Sequence, residues 1–85
     1  MKVLIPSPLR SYTKASEVGA TGVTVAELFA DLERQFPGIR SRIVDERGHL
    51  RTHVRVFVNG EQVFDLSKPL DPTDAVHIVQ ALSGG

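Results

Sequence analysis

Apolar residues recur at two different spacings along the chain, and the changes of spacing divide it into elements. Val3, Leu4 and Ile5 form a short apolar run stopped by Pro6, the pattern of a small buried strand. Pro6, Ser7 and Pro8 predict an extended turn, because a residue preceding proline is pushed away from α geometry. A second strand, antiparallel to the first, is expected within residues 9–18, followed by a loop at Gly19, Ala20, Thr21 and Gly22. The period then becomes helical. Val25, Leu28, Phe29, Leu32 and Phe36 form one stripe, while Glu27, Asp31, Glu33, Arg34 and Gln35 fill the other face. Thr24 and Glu27 have the spacing of a capping box, each side chain serving the other's backbone amide. Pro37 and Gly38 end this helix of about three turns.

Ile39 and Ile43 stand one turn apart and predict a short helical turn, with a polar turn at residues 45–49. Residues 53–58 alternate strictly: Val54, Val56 and Val58 to one side, His53, Arg55 and Phe57 to the other. Asn59 and Gly60 both tolerate positive φ and predict a tight hairpin, with Gln62, Val63 and Phe64 as the returning strand. Asp71, Pro72, Thr73 and Asp74 turn the chain into a last strand carrying Val76, Ile78 and Val79. A lone amphipathic helix must cover one face of a sheet. With that helix as a crossover, the first and last strands pair in parallel at the sheet centre, where their apolar runs suit burial on both faces. The fold expected is α+β: a ubiquitin-like β-grasp, a mixed sheet of four or five strands with one main helix on one face. It occupies residues 1–82, and residues 83–85 are expected to be a flexible tail.

Composition removes several functions. Ten basic and ten acidic residues balance, without the cationic excess on which nucleic-acid affinity rests. Cysteine is absent, and with it disulfides, thiolate metal sites and a cysteine nucleophile. No apolar run approaches the roughly 20 residues of a membrane span, which points to a cytoplasmic protein. His49 and His53 straddle a turn and a strand with no third ligand near, so they read as surface residues and no metal is expected. Arg40, Arg42, Arg47, Arg51 and Arg55 make a loosely basic middle, interrupted by Asp45 and Glu46, that reads as a solvated surface. Asp71 and Asp74, around Pro72, read as turn stabilisers rather than a catalytic carboxylate pair. No side-chain constellation supports an enzyme.

What remains is the end of the chain. After Leu82 come Ser83, Gly84 and Gly85. Two terminal glycines pack no core and lose much conformational entropy if held still. They can thread a narrow channel and deliver a carboxylate to another protein's catalytic centre; the plain alternative is a frayed end.

Taken together, Val3, Leu4 and Ile5, the helix start at Thr24, Val25, Ala26, Glu27 and Leu28, its end at Phe36, Pro37 and Gly38, the segment Val56, Phe57, Val58, Asn59, Gly60 and Glu61, the approach Pro69, Leu70, Asp74 and Val76, and the closing Gly84 and Gly85 resemble the ubiquitin-like sulfur carriers of the MoaD/ThiS family over essentially the whole length. The resemblance implies that an E1-like, ATP-dependent activating enzyme adenylates the Gly85 carboxylate, with Gly84 beside it, and that sulfur then replaces the adenylate to give a thiocarboxylate. It implies no cofactor on this chain, since ATP and its magnesium belong to the partner. Within the family, Leu9, Arg10, Thr13, Asp31, Leu32, Glu33, Pro37, Gly38, Ile39, Arg42, Asp45, Gly48 and Leu50 are most similar to carriers that serve cysteine biosynthesis. The implied acceptor is then a cysteine-synthase-like enzyme; the alternatives are the large subunit of molybdopterin synthase and carriers for tRNA or thiamine thiolation. A protein modifier forming isopeptide bonds, or an inert interaction module, would share the fold. Phe57, His77 and Val79 are expected on the sheet face away from the helix or at its margin, with Leu82 and Ser83 at the root of the tail, as a partner-docking surface; the plain alternative is that one or two of them are ordinary core.

Overall fold

Val25–Gln35 forms the main helix, α2, and the reason lies at its first turn. Four amides at a helix start lack intrahelical partners. Here the amides of Val25 and Ala26 donate to the carbonyls of Lys68 and Leu66, at 3.2 and 2.9 Å, and that of Glu27 to the Thr24 hydroxyl at 3.2 Å. The Leu28 amide closes the first turn onto the Thr24 carbonyl at 3.0 Å. Thr24 is thus the cap expected, but the reciprocal bond between the Thr24 amide and the Glu27 side chain is missing; the loop before the last strand serves the next two amides with its own carbonyls. At the other end the Phe36 amide donates to the Leu32 carbonyl, and Gly38 turns the chain out at φ 98°. Both oxygens of Glu33 accept backbone amides there, from Gly38 at 2.8 Å and Arg40 at 2.9 Å. These bonds, the Gly38 one foremost, hold the Glu33 carboxyl below its ordinary value.

The structure, a computed structural model, describes residues 1–81; Leu82, Ser83, Gly84 and Gly85 lie outside the described residues. Its strands are β1 (Lys2–Leu4), β2 (Glu17–Gly19), β3 (Val54–Val58), β4 (Glu61–Val63) and β5 (Ala75–Gln80), in the sheet order β2-β1-β5-β3-β4. The first and last strands pair in parallel at the centre, Val3 opposite Val76, and all other pairs are antiparallel. This is the β-grasp sheet expected. Val3, Val54, Val56, Val58, Val63, Val76 and Ile78 send their side chains to the helix side, where Val25, Leu28, Phe29 and Leu32 meet them. Each fully buried apolar side chain contributes about 1.5–3 kcal/mol relative to remaining in water. Ile39, just before the short α3 (Arg40–Ile43), and Ile43, its last residue, close one end of this core.

Residues 9–18 are not the strand expected. Ser7–Leu9 is a 3₁₀ turn running into α1, Arg10–Thr13. Pro8 lies in the first turn, where its missing N–H costs nothing, so the proline pair starts a helical turn instead of extending the chain. Leu9 is buried beneath it, and Lys14, at φ 58°, ends the turn in the left-handed region. Strand pairing begins only at Glu17 and extends through Gly19, which had been expected in a loop. The hairpin at Asn59 (φ 50°) and Gly60 (φ 85°) is as expected, but its returning strand ends at Val63 and leaves Phe64 78% exposed.

Gly22 sits against the backbone of α2. A Cβ there would lie 2.4 Å from the Leu28 nitrogen and 2.8 Å from its Cα, and neither atom can give way without moving the helix. Gly22→Ala should therefore destabilise the domain by about 1–3 kcal/mol or more. Urea unfolding would measure this, and an unchanged midpoint would show that residues 20–23 shift freely.

Candidate functional site

β5 is hydrogen-bonded on both sides, and the Ala81 amide continues its ladder by donating to the His53 carbonyl at 2.8 Å. The chain is therefore held firmly up to the last described residue. Strand alternation places Val76 and Ile78 in the core and turns His77 and Val79 to the opposite face. Register then assembles a row across the sheet: Leu4 on β1, His77 on β5 and Phe57 on β3, with Val79 opposite Arg55. His77 is exposed; Leu4, Phe57 and Val79 are half-buried.

Beside this row runs a groove of about 380 Å³. Pro6, Ser7, Pro8 and Arg10 form one wall, and His77, Val79 and Gln80 the other. Phe57, His77 and Val79 thus lie together on the face away from the helix, as expected. Leu82, Ser83, Gly84 and Gly85 are outside the described residues. Leu4 and the proline wall escaped the reading of the sequence. Leu4 alternates with the buried Val3 and Ile5, which was the available signal, whereas the wall follows from the helical turn at residues 7–13.

The remaining candidates have structural roles. Asp71 accepts from the amide and hydroxyl of Thr73, which together hold its carboxyl low. Asp74 accepts from the Asp71 amide and from the Asn59 side chain, which ties the hairpin to the entry of β5. Among the described residues no three histidine or carboxylate side chains gather as metal ligands, and His49 and His53 belong to no such group. No helix of the described residues is long and apolar enough to cross a membrane.

A five-stranded mixed sheet with parallel terminal strands, crossed by one helix and leading from its central strand into the C-terminal segment, defines a ubiquitin-like β-grasp protein. Over residues 3–85 the sequence matches the ThiS family, and the chain belongs to that family. It is 35% identical to the sulfur carrier protein CysO of Mycobacterium tuberculosis, over 98% of this chain and 96% of the relative. CysO in the crystal structure of the Amycolatopsis orientalis BexX/CysO complex superposes with a TM-score of 0.90 at 35% identity, covering 99% of this chain and 98% of that one. SAMP1 from Haloferax volcanii superposes with a TM-score of 0.81 at 25% identity, covering 100% and 98%.

Proposed function

We propose that the protein is a sulfur carrier whose reactive group is the Gly85 carboxylate. The observation that carries this reading is the match to CysO along nearly the whole of both chains. A firmly anchored central strand leading into a Ser83, Gly84, Gly85 segment suits the same task. A carboxylate is a poor electrophile until one oxygen becomes a good leaving group. In the first step a Gly85 oxygen attacks the α-phosphorus of ATP on an E1-like activating enzyme, and pyrophosphate leaves. In the second, a sulfide equivalent attacks the acyl carbon, the acyl–oxygen bond breaks and AMP leaves, giving a thiocarboxylate. That product is anionic at neutral pH and carries a soft nucleophilic sulfur. No side chain of the carrier takes part in either step, so the activating enzyme supplies the catalysis and the carrier is its substrate. The likeness to CysO favours cysteine biosynthesis, with a cysteine-synthase-like acceptor that receives the sulfur in the cytoplasm.

Intact mass tests the reading. The protein is incubated with the activating enzyme, ATP, magnesium and sodium sulfide. A gain equal to the difference between sulfur and oxygen, located on the C-terminal peptide, supports it; unchanged mass despite an active enzyme refutes it. The likeness to SAMP1, a small archaeal modifier protein, makes isopeptide attachment to lysines the second reading. Heavier adducts of this chain that survive reduction would favour it.

Docking for activation is assigned to Leu82, Val79, His77 and Phe57, continued by Ser83. Leu82→Asp should raise the KM of the adenylating enzyme for the carrier about tenfold or more, because a carboxylate replaces a side chain that would be desolvated on binding. The melting temperature should hardly move. An unchanged KM would remove Leu82 from the docking surface.

A further inference from the structure

The point where the chain leaves β5 is ringed by arginines, though the protein as a whole carries no net charge. Arg10 stands in the outer groove, and Arg55 lies opposite Val79. Arg42 and Arg51 line a second pocket of about 430 Å³, with Tyr12, Gly38, Ser41 and Gln80. Three of these arginines are tethered in the same way. The Nε of Arg10 donates to the Ile5 carbonyl at 3.0 Å, that of Arg42 to the Tyr12 hydroxyl at 2.9 Å, and that of Arg51 to the Ser41 carbonyl at 2.6 Å. Each guanidinium is thereby fixed at its neck, while its terminal amino groups pair with no carboxylate among the described residues. No acid lines either the groove or the pocket. Arg51 also borders a neighbouring pocket lined by Glu33, Asp45 and Glu46, where Glu33 and Asp45 are taken up with backbone amides and none of the three forms an ion pair with it. Asp71 and Asp74 stand at the opposite end of β5. Gln80 lines both cavities, and its side-chain oxygen is buried with no hydrogen-bond partner among the described residues. Among the described residues the hydrogen bonding at the end of β5 is therefore incomplete, with one buried acceptor left without a donor.

We infer that the pocket of Arg42, Arg51 and Tyr12 receives aspartate or glutamate side chains of the activating enzyme, from an acidic rim around the channel that takes the tail. Fixed guanidiniums suit carboxylates because each presents a rigid donor fork that has already lost part of its freedom. The concentration of positive charge at one end of a neutral molecule also orients it, so that the tail arrives first. A nucleic-acid backbone is the other anion of this kind. The cations gather around the end of β5 instead of lining an extended track, which favours the protein partner.

The inference rests on the sulfur-carrier reading, and the test separates the two by measuring binding apart from chemistry. The probe is the E1-like adenylating enzyme of the same organism. Its affinity for full-length wild-type and Arg42→Gln/Arg51→Gln carriers is measured by calorimetry between 50 and 300 mM salt (roughly the range over which exposed pairs become screened), and thiocarboxylate formation is followed by mass. The double variant should bind about tenfold more weakly at low salt and lose most of the salt dependence, with an unchanged melting temperature. Arg42→Lys/Arg51→Lys should regain the salt dependence and part of the affinity. Equal binding by wild type and the glutamine variant overturns the docking inference while leaving the sulfur chemistry intact. Salt-sensitive binding without thiocarboxylate formation overturns the sulfur reading and upholds the docking. If wild type does not bind, both fall. If the variant instead loses only its retention of a short single-stranded RNA, the occupant is nucleic acid and the inference fails.

Discussion

Removal of Gly84 and Gly85 should abolish thiocarboxylate formation while leaving the unfolding midpoint of the domain unchanged. The first part follows from chemistry. Without Gly85 the terminal carboxylate is displaced by two residues, about 7 Å of extended chain, and no longer reaches a catalytic centre at the end of a fixed channel. A misplacement of even about 1 Å can cost about 100-fold in rate. The second part follows from the core, whose buried members among the described residues lie between Val3 and Ile78. Mass spectrometry after activation and urea unfolding of the same samples check both parts. Full conversion of the truncated chain, at the Ser83 carboxylate or at a side chain, would refute the carrier mechanism proposed for Gly85.

The largest stability loss from a single substitution is expected at Phe29. It is 1% exposed and is the largest of the fully buried side chains, clamped between α2 and the sheet. Phe29→Ala removes the ring and leaves a cavity that the neighbouring helix and strands fill only in part, at a cost of about 3–5 kcal/mol. For a domain of this size the melting temperature should then fall by more than about 12 °C. Well below its own midpoint, the variant should still accept sulfur at close to the normal rate, because nothing at the tail has changed. A loss below about 1 kcal/mol would mean that the site collapses around the smaller side chain.

The two cases differ in how plainly the sequence announced them. The α2 stripe, the Thr24 cap and the Asn59–Gly60 turn are local, each written in residues within a few positions of one another, and the structure agrees with them. The parallel pairing of β1 with β5 was also legible, because a helical crossover and two apolar runs leave few other arrangements. Residues 9–18 were misread because Pro8 fits two roles, ending an extended segment or opening a helical turn. The burial of Leu9, a tertiary event, selects the second. The first two amides of α2 bond to carbonyls some forty residues downstream, at Leu66 and Lys68, and no local pattern reports that. The pocket at the tail root was hidden for the same reason. Arg42 and Tyr12 meet across 30 positions, and Gln80 joins them only once β5 has been inserted. In one dimension those arginines are a dilute basic stretch. In three they are a ring.

The insertion of β5 between β1 and β3 also fixes how the domain bears mechanical load. A partner that draws the C-terminal segment into a channel pulls along the axis of β5. Its hydrogen bonds to both neighbours run across that axis, so the pull loads them together in shear and does not peel them one at a time. An edge strand pulled away from the sheet would unzip from its end, each broken bond exposing the next. Here, among the described residues, the Ala81 bond to His53 is the terminal link that can fray before the ladders on both sides resist as a block. The same strand that aims the tail therefore acts as its anchor, and an enzyme can hold the tail under tension without unravelling the domain behind it.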